Sequence, residues 1–215
     1  AALLVSAKLA YAARQALEGM RLRHQRKRLT EAFAGHVDTR LLQRVLAGDT
    51  ERAGLRPERV AITVLAARLP ASHPAWDGVE PERAGAALAG HYTDARTAIE
   101  RAGGMVERFQ GNHILAYFGA PLPARQPARA ALEAALAMSR AHAARAGAGT
   151  PKLGIGIASG QAIAGQVNLP GASPYIVLGD VVERAIALAS AETPPINSGT
   201  RVLADPATEI GRAHV

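Results

Sequence analysis

The sequence predicts an α+β domain in which helices pack on one mostly antiparallel sheet, preceded by a helical N-terminal segment. Three observations carry this. The run 60–67 is continuously apolar and rich in β-branched residues, the character of a central strand buried on both faces. Two short β-prone runs, 105–109 and 114–118, flank the turn Gln110-Gly111-Asn112-His113 and read as a hairpin. Long alanine-rich helical stretches alternate with these strands, and the order β-α-β-hairpin-α-β-α lays helices against a single sheet.

In chain order, the first 46 residues read as at least two helices, weakened only at Gly19 and Gly35. The second of these, 39–47, has Asp38 as N-cap and is closed by Gly48. No heptad repeat is sustained. A polar connection over 49–58 leads into the strand 60–67, and a proline-rich loop, 69–81, leads out of it. A helix over 82–102 ends at Gly103-Gly104, where the hairpin begins. After a proline-bounded loop, 119–127, come a helix at 128–146, a strand at 152–159, a second strand near 161–167 and a loop containing Pro170-Gly171. The last helix runs from Gly179 or Asp180 to Ala191, and Thr200 to Leu203 form an edge strand.

A chain of 215 residues, 48% hydrophobic and 20% charged, buries a core of ordinary size and falls outside the disordered and fibrous classes. It has no cysteine, so a disulfide framework and a thiolate zinc site are both excluded. The formal charge of +7 is concentrated in Arg21, Arg23, Arg26, Lys27 and Arg28. Such a run reads as a solvated helix face or a membrane-proximal flank before it reads as a DNA contact. Trp76 and Tyr92 are too sparse for a base-stacking platform, so no nucleic acid is expected. Lys8 and Arg14 interrupt the apolar start, leaving no membrane span. The chain opens at Ala1 in mid-pattern, so we expect it to continue a longer protein whose basic flank marks the cytoplasmic side. Gly154-Ile155-Gly156 lies within a strand, lacks a third glycine and opens no helix, so it is not a dinucleotide fingerprint.

Four ordered segments resemble the class III adenylate/guanylate cyclase catalytic domain. Val64-Leu65-Ala66-Ala67-Arg68-Leu69 is similar to the family's first strand. The hairpin from Gly103 to Pro121 follows the family signature almost position by position, and Leu153 to Gly160 resembles the next strand. Tyr175 to Leu188 resembles the segment written in the family as tyrosine-x-x-isoleucine-glycine-aspartate-x-valine-asparagine. The resemblance implies a ferredoxin-like cyclase domain over 59–215, with 1–48 as a helical, juxtamembrane signal-transducing segment.

Cyclisation drives the ribose 3′-hydroxyl against the α-phosphate and expels pyrophosphate. The family does this with two divalent ions held by two aspartates. The resemblance places Arg68 and Asn112 at those ligand positions. Arginine has no lone pair for a cation, and asparagine brings a neutral oxygen without charge, so no metal and no cofactor are expected. His113 reads as a turn residue. The family's transition-state asparagine and arginine correspond to Glu183 and Ala187, and its base-reading pair to Arg108 and Ile176. Pro70 removes a backbone donor from the phosphate-contacting turn. Arg68 either stands in for the missing ion and holds a phosphate, or pairs with a local carboxylate such as Asp180.

Family sites are shared between two subunits, and this chain supplies neither half. The expectation is therefore a catalytically inactive, bacterial, cytoplasmic signalling module. It forms a homodimer, or a heterodimer with another cyclase-like chain, and sits at the membrane face through an N-terminal membrane or sensor module. The alternatives are an active cyclase with a rearranged site and a nucleotide- or phosphate-sensing pseudoenzyme.

Overall fold

A computed structural model describes residues 56–70, 77–110, 112–145, 150–167, 174–191 and 200–208. The chain divides into two units, Ala1–Ala53 and Gly54–Val215, and every described residue belongs to the second. The helices expected over 1–48 lie outside the described residues.

The second unit contains β1 (Glu58–Arg68), α1 (Pro81–Arg101), β2 (Met105–Gln110), β3 (His113–Phe118), α2 (Pro127–Arg145), β4 (Leu153–Gln166), β5 (Tyr175–Leu178), α3 (Asp180–Ser190) and β6 (Thr200–Ala204). One sheet runs in the order β2-β3-β1-β4-β5, with β6 also paired to β4. All neighbours are antiparallel except β4 and β6. β1 is enclosed by β3 on one side and β4 on the other, and Ile62 to Ala67 are all buried. That enclosure explains its unbroken apolar run where a half-exposed strand would alternate.

Alternate residues on one face of the sheet meet two helices. Leu65, Ala67, Ile114, Ala116, Phe118, Leu153, Ile155 and Ile157 pack against Ala95, Ala98 and Ile99 of α1 and against Ala131, Ala134, Ala135 and Met138 of α2. The small alanines let both helices sit close, while the strands supply the branched bulk. The opposite face carries α3, whose Val181, Ala185 and Ala189 are buried. It rests on a glycine stripe in β4: a Cβ at Gly154 would collide with the Ala189 carbonyl, and one at Gly156 with the Ala185 carbonyl. Gly154-Ile155-Gly156 is therefore a helix seat.

Two sequence expectations are corrected. The strands expected at 152–159 and 161–167 are one strand of 14 residues, because β1 pairs with it without a break from Gly154 to Ala164. On its other edge, β4 pairs with β6 from Leu153 to Ile157 and with β5 from Ile163 to Gln166. Between them the backbone of Ser159 has no strand partner on that edge, and side chains take its place. Asp205 Oδ1 accepts the Ser159 N–H at 3.2 Å, and Arg184 Nη2 donates to the Ser159 carbonyl at 3.0 Å. Arg184 Nε donates to Asp205 Oδ2 at 3.2 Å, and Thr208 donates to Asp205 Oδ1 from its backbone at 2.9 Å and its hydroxyl at 2.6 Å. The second correction is β5, a strand where the sequence reading marked none before the last helix.

Candidate functional site

Arg68 and Asn112, which the resemblance places at metal-ligand positions, stand at one corner of the sheet. Arg68 ends β1 and pairs in register with His113 of β3, one residue after Asn112. His113 is thus the first residue of a strand and not a turn residue, since the antiparallel ladder extends down to it. The corner holds a guanidinium, an amide and an imidazole, with no carboxylate of its own.

Asn112 is already committed. Its side-chain amide donates to the Leu69 carbonyl, and its own carbonyl accepts the Leu69 N–H at 3.1 Å. The first of these needs an N–H, which an aspartate at that position lacks. Asn112 therefore closes the hairpin turn onto the exit of β1, spending the amide that would otherwise orient its oxygen. Partial burial and the neighbouring Arg68 charge both hold the His113 pKa below its ordinary value, so the imidazole is neutral at pH 7. Arg68 is half-buried, and among the described residues no carboxylate pairs with it. The suggested partner Asp180 is bound instead by Arg184, one turn along α3, because that pair lies on one helix face. Among the described residues, no group of three or more histidine, aspartate and glutamate side chains is placed to hold a metal ion. The residues at this corner do not fit a two-cation site.

Arg108 lies in β2, where a bulge falls between Val106 and Arg108. It is held by Glu107, Nη1 to Oε1 at 3.1 Å, and is exposed. Glu107 in turn meets the buried Tyr117 hydroxyl. Burial pushes the Glu107 pKa up, and burial and the Glu107 charge together drive the Tyr117 pKa far up. Ile176, which the resemblance places at a base-reading position, sits in β5 opposite Gly165 and brings only hydrocarbon there. Glu183 and Ala187 are four residues apart on α3 and both exposed, so they share the helix face turned away from the glycine stripe. Both side chains face outward, Glu183 with a carboxylate and Ala187 with no polar group.

Sequence reasoning missed the Asn112–Leu69 clasp and the Arg184–Asp205 pair. Asp205 follows an edge strand with no motif around it, so nothing local marked it.

No protein-family model matches the chain. It is 32% identical over 180 residues to the uncharacterized protein Rv1320c of Mycobacterium tuberculosis, covering 80% of this chain and 29% of that protein. It is 30% identical over 166 residues to Rv1319c of the same organism, covering 76% of this chain and 30% of that one. The chain thus spans less than a third of the length of these relatives. Among solved structures, the guanylyl cyclase Cya2 superposes with a TM-score of 0.61 at 25% identity, covering 72% of this chain and 79% of Cya2. The adenylyl cyclase CyaB from P. aeruginosa gives 0.65 at 20% identity, over 75% of this chain and 84% of CyaB. A non-canonical dimeric guanylyl cyclase domain of the RhoGC fusion protein from Blastocladiella emersonii gives 0.62 at 18%, over 73% and 85%.

Proposed function

We propose that this chain, whose described domain is a class III adenylyl/guanylyl cyclase catalytic domain by fold, is a catalytically inactive member that works as a dimerising signal-transduction module. The observation that carries the proposal is the corner where β1 meets the β2–β3 turn. There Arg68 and His113 stand side by side, and Asn112 has given its amide to Leu69. A triphosphate brings four negative charges, and cyclisation concentrates more on the leaving pyrophosphate, so catalysis needs cations held by anionic oxygens. A guanidinium repels them. On α3, Glu183 adds negative charge where the reaction develops it, and Ala187 offers no donor. Pairing with an active cyclase chain would not restore a shared site, since both halves are altered here.

Dimerisation is supported by surface chemistry as well as by fold. Ile163 and Leu178 are large apolar side chains, 40% and 57% exposed, and they face each other across the β4–β5 pair. By strand alternation this pair lies on the face of the sheet opposite α3, and an exposed apolar pair there suits an interface core. The RhoGC domain, solved as a non-canonical dimer, gives self-association of this fold a precedent. The segment 1–48 is assigned the role of relay, and its basic run Arg21 to Arg28 the role of contact with an anionic cytoplasmic membrane face. Output in this reading is conformational.

The test is an assay of the purified chain with ATP and with GTP, each with manganese, at protein concentrations that favour the dimer. We expect no cyclic nucleotide above the no-enzyme rate; robust product establishes an active cyclase with a rearranged site.

One observation favours a second reading, an anion-sensing pseudoenzyme: Arg68 has no carboxylate partner among the described residues. Calorimetry with ATP and GTP, with and without magnesium, decides it, and binding without metal is its signature.

A further inference from the structure

The face of the sheet opposite Arg68 carries a cavity of about 860 Å³, bounded by α1, the last turns of α2 and the exit of β1. That volume lies in the range of small-molecule sites. Its wall is largely hydrocarbon, from Leu69, Ala87, Ala95 and Met138, and two imidazoles, His91 and His142, also line it.

The imidazoles are what make the cavity specific. His142 is only 8% exposed. Its ring donates to the Pro151 carbonyl, and Nε2 is buried without a partner, so the donor is Nδ1 and Nε2 presents a lone pair. His91 Nε2 is also buried without a partner, and the two rings stand edge to face with centroids 6.2 Å apart. Burial holds the His142 pKa below its ordinary value, and burial together with its neighbours brings His91 down to about 4, so both rings are uncharged at pH 7. A buried acceptor left unpaired is a standing cost that an incoming donor relieves.

Charge at the rim selects further. Arg145 grips Asp94 with two hydrogen bonds, Nε to Oδ2 and Nη2 to Oδ1, the latter at 3.1 Å. Each neutralises the other. Arg83 and Glu80 add one charge of each sign, so the lining carries no net charge.

We propose that this cavity binds an uncharged, largely apolar small molecule whose hydroxyl or N–H donates to His142 Nε2. Leu69 links the cavity to the degenerate corner, because it lines the one and exchanges hydrogen bonds with Asn112 of the other. An occupant thus touches the residue that Asn112 clasps. The site lies apart from the family's catalytic positions and stands whether or not cyclisation has been lost.

The probe is a matched pair, 2-naphthol and 2-methoxynaphthalene, which differ in the donor alone, titrated into the full chain and followed by amide and imidazole NMR. We expect saturable shifts at Leu69, His91 and His142, with the naphthol bound about threefold to tenfold more tightly. Ala87→Phe, which fills the cavity from an exposed helix position, is expected to abolish binding of both compounds without lowering the melting temperature. His142→Phe is expected to equalise their affinities. Equal affinities in the unaltered chain, shifts confined to other regions, binding that survives Ala87→Phe, or no saturable shift at the solubility limit overturns the proposal.

Discussion

Asn112 has a structural role that its side-chain amide alone can fill. The resemblance places it where a metal-ligating carboxylate would stand. Here its amide closes the hairpin turn onto Leu69, and an aspartate would aim oxygen lone pairs at a carbonyl. Asn112→Asp is therefore expected to destabilise the chain by about 1–3 kcal/mol, the cost of a part-buried acceptor left facing another acceptor. Urea denaturation checks it. The same variant gains no cation affinity while Arg68 remains. The hairpin that carries Asn112 was legible in the sequence, because two β-prone runs flank a glycine-containing turn. The clasp of Asn112 onto Leu69 was not, since Leu69 lies 43 residues away and only the β1–β3 register brings the two together.

At the scale of elements, β4 is the member the sequence described least well. Ser159-Gly160 reads as a break, yet the strand continues because β1 supplies a full ladder and Arg184 and Asp205 complete the open edge at Ser159. The compensation is tertiary, so no local propensity contains it. The three described helices and the hairpin were legible to within a residue or two, because periodicity and terminal glycines are local signals. Burial alone would raise the Asp205 pKa, but hydrogen bonds from Thr208, the Ser159 N–H and Arg184 outweigh it and hold the carboxyl below the usual range. A depressed folded value means that this stabilisation is complete above the unfolded value of about 3.9 and is lost as pH falls through the folded one. Asp205→Asn is expected to cost about 1.5–3 kcal/mol at pH 7, with a gap to the unaltered chain that stays constant down to about pH 5 and closes below about pH 4. Denaturation curves across pH 3 to 8 would show it.

In the whole molecule, scaffold and chemistry part ways. The sheet and the helix seat on Gly154 and Gly156 belong to a fold shared with solved cyclase domains, while in the proposed function Arg68, Asn112, Glu183 and Ala187 do not supply cyclase chemistry. Scaffold was legible from sequence because backbone geometry constrains glycines and apolar runs strongly. The cavity between α1 and α2 was not, because His91 and His142 are 51 residues apart and carry no motif. If dimerisation uses the exposed Ile163–Leu178 pair, Leu178→Arg weakens self-association by about tenfold or more in sedimentation equilibrium without lowering thermal stability.

The most direct test is a manganese titration of the whole chain in the presence of ATP or GTP, read by electron paramagnetic resonance. With no cation site in the protein, free manganese falls only as far as the nucleotide alone reduces it, and no protein-bound ternary species forms. A ternary signal that depends on the protein, and that Arg68→Ala or Asn112→Ala removes, would contradict it.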